Sequence, residues 1–200
     1  MSLSKSAKRV AYKSLESYFI QLYTNPLRTK SVTSAIIYVL GNYTSQRISG
    51  AKVTELNSLL SFGAYGLLFG GSIPHYFFQC LEWLVPGKSA LATVKQLLIQ
   101  RLIFTPLYQL FTLYTISRFE GRTHRQAVQQ LIPIYVPVLI ANWKWLTALS
   151  IINLTVVPPV LRVVFMNLVG FVWSIYLATK RRKASERRGG GAKGGSRPGL

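Results

Sequence analysis

NWKWLTALSIINLTVVPPVLRVVFMNLVGFVWSIYLATKRRK, residues 142–183, decides the fold class. It opens on Asn142-Trp143-Lys144-Trp145 and continues as an apolar run broken by Pro158 and Pro159. Arg162 follows, then a second apolar run that stops at Lys180, Arg181, Arg182 and Lys183. An apolar run closed by a basic cluster is the pattern of a membrane helix reaching a charged surface. Val163 to Thr179 carries no charge and, as a helix, extends about 25 Å, against a hydrocarbon core of about 30 Å. A start at Pro159 supplies the missing length, because proline suits the first turn, where its absent N–H costs nothing. Trp143 and Trp145 suit a membrane interface, where a ring sits in lipid and its N–H reaches water. One such run could be a buried helix of a soluble protein; several in one chain point to a bilayer.

Composition agrees. The 200 residues suit one domain, half of them are hydrophobic, and mean hydropathy is +0.27. Lys and Arg number 24 against five Glu and no Asp, a net charge of +19. Such a charge fits nucleic acid or an anionic membrane surface. The cations crowd into both ends and the gaps between apolar runs, which favours the lipid bilayer as partner and no specific nucleic acid. Cys80 is alone, so no intramolecular disulfide is possible. The polar first residues do not read as a secretory signal peptide. Two histidines, one cysteine and no paired carboxylates give no metal or cofactor site and no enzyme chemistry. No Walker-type glycine loop is present to power transport.

Along the chain, residues 1–24 predict a basic amphipathic helix, with Ala11, Leu15, Tyr18 and Leu22 at helical spacing. It either lies on the membrane or packs on the rest of the protein. Asn25-Pro26 is a cap and first-turn proline, opening the transmembrane helical domain, 25–183. The helix from Pro26 to about Gln46 carries a polar stripe of Ser31, Ser34, Tyr38, Asn42 and Ser45. Leu56 to Leu81 is charge-free, with Gly66-x-x-x-Gly70 permitting close helix contact, Pro74 as a possible kink and His75 beyond it. Val85-Pro86-Gly87-Lys88 reads as a turn. A helix from Leu91 runs through Lys95 to Ser117 with a second stripe: Arg101, Thr105, Tyr108, Thr112 and Thr115. Polar stripes in lipid face water or other helices, so they are either pore lining or interhelical hydrogen bonding. Leu131 to Val157, interrupted by Pro133, Pro137 and Lys144, predicts a broken or interfacial helix. Arg162 snorkels or, if buried, needs Glu120 or Glu82 as partner. Residues 184–200 read as a disordered basic, glycine-rich tail.

From about Tyr18 to Thr179 the chain resembles the peroxisomal membrane protein family that also has inner-mitochondrial-membrane relatives. The similar stretches are Pro26-Leu27-Arg28-Thr29-Lys30, Leu40-Gly41-Asn42, Tyr65-Gly66 with Gly70 and His75, Phe104 with Pro106, and Glu120-Gly121. The most specific is the C-terminal signature of Pro137, Asn142-Trp143-Lys144, Ile152-Asn153, Val157-Pro158, Arg162, Phe165, Asn167, Trp173 and Tyr176-Leu177. Asn42 and Arg101 follow the peroxisomal pattern. Gly71-Ser72, Gln100, Leu146, Ala148 and Ser150 depart from the family's usual residues.

The resemblance implies an all-α organelle membrane protein with about four spans, besides the N-terminal amphipathic helix and the interfacial one. It implies a passive channel for small water-soluble solutes in the peroxisomal membrane, assembled as a homo-oligomer and delivered by organelle import machinery. The alternatives are a non-conducting scaffold and an inner-mitochondrial-membrane channel. The candidate pore-lining residues are Asn42, Ser45, His75, Arg101, Thr105, Tyr108 and Thr112.

Overall fold

The computed structural model describes residues 2–51, 53–86, 89–157 and 162–193. The described residues contain six helices and no strand, as an all-α membrane fold requires: α1 (Ser2–Thr24), α2 (Pro26–Ile48), α3 (Leu56–Leu84), α4 (90–119), α5 (124–155) and α6 (Arg162–Lys193). Two of them, Leu56–Leu84 and His124–Ile152, are long and apolar enough to cross a membrane by length and composition.

The second of these corrects an expectation. α5 is not broken at its prolines: Pro133 and Pro137 stay inside it, and Asn142–Leu146 forms one wide, π-type turn that carries the Trp-Lys-Trp segment without ending the helix. Spanning helices tolerate proline because neighbouring helices and local widening satisfy the freed carbonyls. Its start is fixed by a reciprocal cap, in which the Thr123 side chain accepts from the Gln126 N–H and the Gln126 side chain accepts from the Thr123 N–H. Wide turns also interrupt α3 at Gly66–Gly70 and α4 at Ile99–Phe104.

α2 is the hub. It packs most extensively on α6 and on the wide turn of α3. α3 packs on α4, α4 on α5, and α5 on α6, so five rods close into a ring while α1 docks outside on α2. Close approach needs the glycines. A Cβ at Gly66 would sit 2.7 Å from Ala35 Cα, and one at Gly41 would meet the Ser174 side chain. α1 is held mainly by Tyr18, whose hydroxyl accepts from Asn167 Nδ2 at 3.1 Å and Thr33 Oγ1 at 3.4 Å. Among the described side chains of α1 before Tyr18, all but Leu15 are exposed.

Because the five rods alternate in direction, α2 begins at one end of the ring, the proximal end, and α6 finishes at the other, the distal end. The tail expectation also changes. α6 continues past residue 183, with Ala184 in the apolar core and Ser185 bonded to Arg122, so the interior, not charge, decides where the helix stops mattering to the fold. Residues 194–200 lie outside the described residues.

The ring is apolar outward and polar inward. Val32, Ile36, Leu40, Leu60, Leu107, Ile132, Val136, Ile140, Leu168 and Val172 are exposed, while Asn42, Ser45, Gln46, Thr105, Gln109, Thr112, Ser117, Gln130, Asn142 and Arg181 are buried. In water that arrangement would be unfavourable; in lipid it is the low-energy one.

Candidate functional site

Three zones follow one another along the molecule: a polar distal cavity inside the ring, an aromatic layer, and a proximal cleft that opens beside α1. At the distal end a cavity of ≈ 120 Å³ is lined by Asn42, Ser58, Glu120, Arg122, Gln130 and Arg181, among others. One bond network runs around it. Asn42 donates to Ser58 at 2.9 Å, and Ser58 donates to Glu120 Oε1 at 3.0 Å. Arg181 reaches Glu120 Oε2 at 2.8 Å, Ser117 Oγ at 3.1 Å and the Leu113 carbonyl at 3.0 Å. Ser117 donates to Gln130, and Gln130 donates to the Arg181 carbonyl. The network therefore ties together α2, α3, α4, α5 and α6. Arg181 is 3% exposed, so its charge is answered by Glu120 and the two neutral acceptors rather than by water. The guanidinium also stacks near the Phe62 ring.

The middle zone is aromatic. Tyr38 packs edge-on to Tyr65 at 5.3 Å, Phe69 edge-on to Phe111 at 5.2 Å, and Phe104 stacks on Tyr108 at 5.1 Å. Tyr65 Oη lies 2.6 Å from Thr112 Oγ1, and Tyr108 donates to the Phe69 carbonyl at 3.5 Å. Phe62 and Tyr65 are fully buried. Tyr38 belongs to both apolar clusters of the core, one on the α4–α5–α6 side and one on the α3–α4 side.

At the proximal end a wider cavity of ≈ 400 Å³ is lined by Lys30, Thr33, Ser34, His75 and Asn167, with Tyr18 and Phe78. Lys30 Nζ lies 3.2 Å from His75 Nδ1, and Gln79 flanks the other ring nitrogen. Followed along α2 and α3, the order is the same: proximal cavity, aromatic layer, distal cavity.

The pore-lining candidates do not share one surface. Asn42 lines the distal cavity and His75 the proximal one. Ser45 bonds Thr179 across the α2–α6 contact at 2.8 Å. Tyr108 and Thr112 lie in the aromatic layer, and Thr105 donates to the Gln100 carbonyl of its own helix. Arg101 turns to α5, where it donates to Ser150 at 3.2 Å and to the Leu146 carbonyl at 3.4 Å. Residues 146 and 150 are two of the positions where the chain departs from the family pattern.

The family-signature residues are mostly structural joints. Pro26 opens α2, and Gly66 and Gly70 let α3 press on it. The Pro106 carbonyl accepts from Tyr135 at 3.3 Å. Trp143 donates to the Arg101 carbonyl at 2.9 Å, and Asn142 is buried beside it in α5. Asn167 holds Tyr18, and Trp173 packs on the core. Pro158 and the Arg162 side chain lie outside the described residues. Glu120 pairs with Arg181 and Arg122. Arg181 was the residue the sequence hid, because it stands in what reads as a surface stop cluster. Its signal was phase: Leu177, Ala178 and Arg181 fall on one helix face, and the first two are buried.

An inward-polar helical ring with an apolar exterior defines a helical integral membrane protein. The model of the Mpv17 / PMP22 family matches residues 117–178, the stretch holding Glu120, Asn142, Trp143 and Trp173. The chain is 30% identical over 174 residues to Peroxisomal membrane protein 2 of Bos taurus, covering 84% of this chain and 89% of that one. It is 30% identical over 173 residues to Peroxisomal membrane protein PMP22 of Arabidopsis thaliana, covering 84% and 90%. It is 23% identical over 166 residues to Mitochondrial inner membrane protein Mpv17 of Xenopus laevis, covering 82% and 94%. The chain belongs to the Mpv17 / PMP22 family of membrane proteins. Its place is the peroxisomal membrane, with the mitochondrial inner membrane the alternative. No solved structure matches it.

Proposed function

We propose that the chain is a passive pore for small water-soluble solutes, drawn here with its aromatic layer closed. The observation that carries this reading is the order of zones: a polar distal cavity inside the ring and a wider, more apolar proximal cleft that holds Lys30 and His75, separated by one layer of aromatic rings. Buried polar atoms add to it. Gln109 Nε2, Asn142 Oδ1 and Arg101 Nε have no protein partner among the described residues, and such groups favour water or polar solute beside them. The path would be opened by rotation of Tyr38, Tyr65 and Phe69, without a nucleotide or other energy source. A homo-oligomer of such rings is part of the proposal, each ring keeping its own path.

The test is solute release from liposomes carrying the purified protein. Phe62→Ala with Tyr65→Ala should raise release of a small polar dye above wild type while circular dichroism stays helical. Release equal to that of empty liposomes for both proteins would sink the pore reading. A second reading has its own support. Asn42, Ser45, Thr105 and Thr112 are all hydrogen-bonded within the protein, as a non-conducting scaffold would have them. The same null result would establish that reading.

A further inference from the structure

An open groove runs down the outside of the ring between α1, α2 and α6, with a volume of ≈ 750 Å³. Its lining is graded. Arg28 and Thr29 stand at the proximal end with Gln21, then Val32, Ile36 and Leu40 follow along α2, faced by Leu168 and Phe171 of α6. Arg28 is exposed and has no partner among the described residues. From Arg28 to Leu40 the helix rises about 18 Å, close to the ~15 Å of hydrocarbon in one leaflet. A free cation at the headgroup level above an apolar channel one leaflet deep has the shape and polarity of an anionic phospholipid.

We propose that this groove is a specific site for an anionic phospholipid: Arg28 pairs with a headgroup whose phosphate is not neutralised by a choline cation, and one acyl chain lies along Val32, Ile36 and Leu40 against Phe171. Charge favours lipid over a second copy of the chain. Three of the five acids, Glu55, Glu120 and Glu186, are paired with arginines at the distal end, which leaves only Glu16 and Glu82 for a neighbouring copy to offer Arg28. A phosphate supplies it directly, and guanidinium–phosphate pairing is strong and directional. Arg28 and Ile36, the residues varied below, lie neither in the aromatic layer nor in the proximal cavity, so the test does not depend on whether the ring conducts.

The experiment is native mass spectrometry of the full-length protein released from nanodiscs of equimolar dioleoyl phosphatidylserine and dioleoyl phosphatidylcholine. Wild type should retain phosphatidylserine over phosphatidylcholine by about fivefold, the scale of one basic residue at a membrane surface. Arg28→Gln should abolish the preference while still retaining lipid. Ile36→Trp, which fills the groove, should lose both lipids there with helicity unchanged. Equal retention of phosphatidylserine by wild type and both variants would overturn the proposal. So would a change in protein stoichiometry with Ile36→Trp and none in bound lipid, because the groove would then be an interface between copies. Displacement of the lipid by glycerophosphoserine alone would overturn the acyl-chain half of the site.

Discussion

Arg181 stands in a run of four basic residues, and of these only it is buried. Its three bonded acceptors come from α4 and the turn after it, and its carboxylate partner is one of only five in the chain. Breaking a buried pair from one side leaves an uncompensated charge, which costs about 3–5 kcal/mol. Glu120→Gln and Arg181→Met should therefore each lower the melting temperature in detergent sharply. The double variant should recover much of the loss, because it leaves no unpaired charge buried. Strictly additive losses would show that the two residues act separately. Arg181→Lys should not rescue, since an ammonium cannot span acceptors on both the Leu113 carbonyl and Glu120 with a planar fork.

At the scale of elements, the α2–α3 contact rests on backbone touching backbone. A Cβ at Gly66 would lie 2.7 Å from Ala35 Cα and 2.8 Å from the Ser34 carbonyl oxygen, and neither can swing away. Gly66→Ala should cost about 1–3 kcal/mol, as overpacking does. Gly170 is the control. It lies in α6 with nothing within 4 Å of a built Cβ, so Gly170→Ala should stabilise by about 0.5–1 kcal/mol through helix propensity. Thermal unfolding of the two variants side by side separates packing from propensity. Equal shifts would mean that α3 does not press on α2 as drawn. The wide turn at Gly66–Gly70 is itself a consequence of that contact: it widens α3 where its glycines meet α2.

The whole molecule makes a topological claim. The alternating rods predict that the start of α2 and the start of α3 lie on opposite sides of the membrane. In a Cys80→Ser background, Tyr23→Cys at the proximal end and Ser49→Cys at the distal end mark the two faces, and both parent side chains are exposed. A membrane-impermeant maleimide added to sealed proteoliposomes of uniform orientation should label one and spare the other. Labelling of both from outside would mean that α2 does not cross. The opposite pattern of charges supports no simple orientation, because basic residues gather at both ends of the ring: Arg28 and Lys30 at one, Arg122, Arg181 and Arg182 at the other.

Hydropathy and punctuation by themselves determined that the chain is a helical membrane protein, where most rods begin and that α2 and α4 carry polar stripes. These are local properties: burial in lipid is governed by runs of side chains, and helix starts by Pro26 and the residues around it. Tertiary structure alone decided what the stripes face, that α5 continues through two prolines and a wide turn, and that Arg181 goes inward while Lys183 stays out. Those outcomes depend on which helix lies opposite. Ser45 meets Thr179, and Arg181 meets Glu120, across 134 and 61 residues of sequence, and no periodicity within one helix carries the identity of its neighbour.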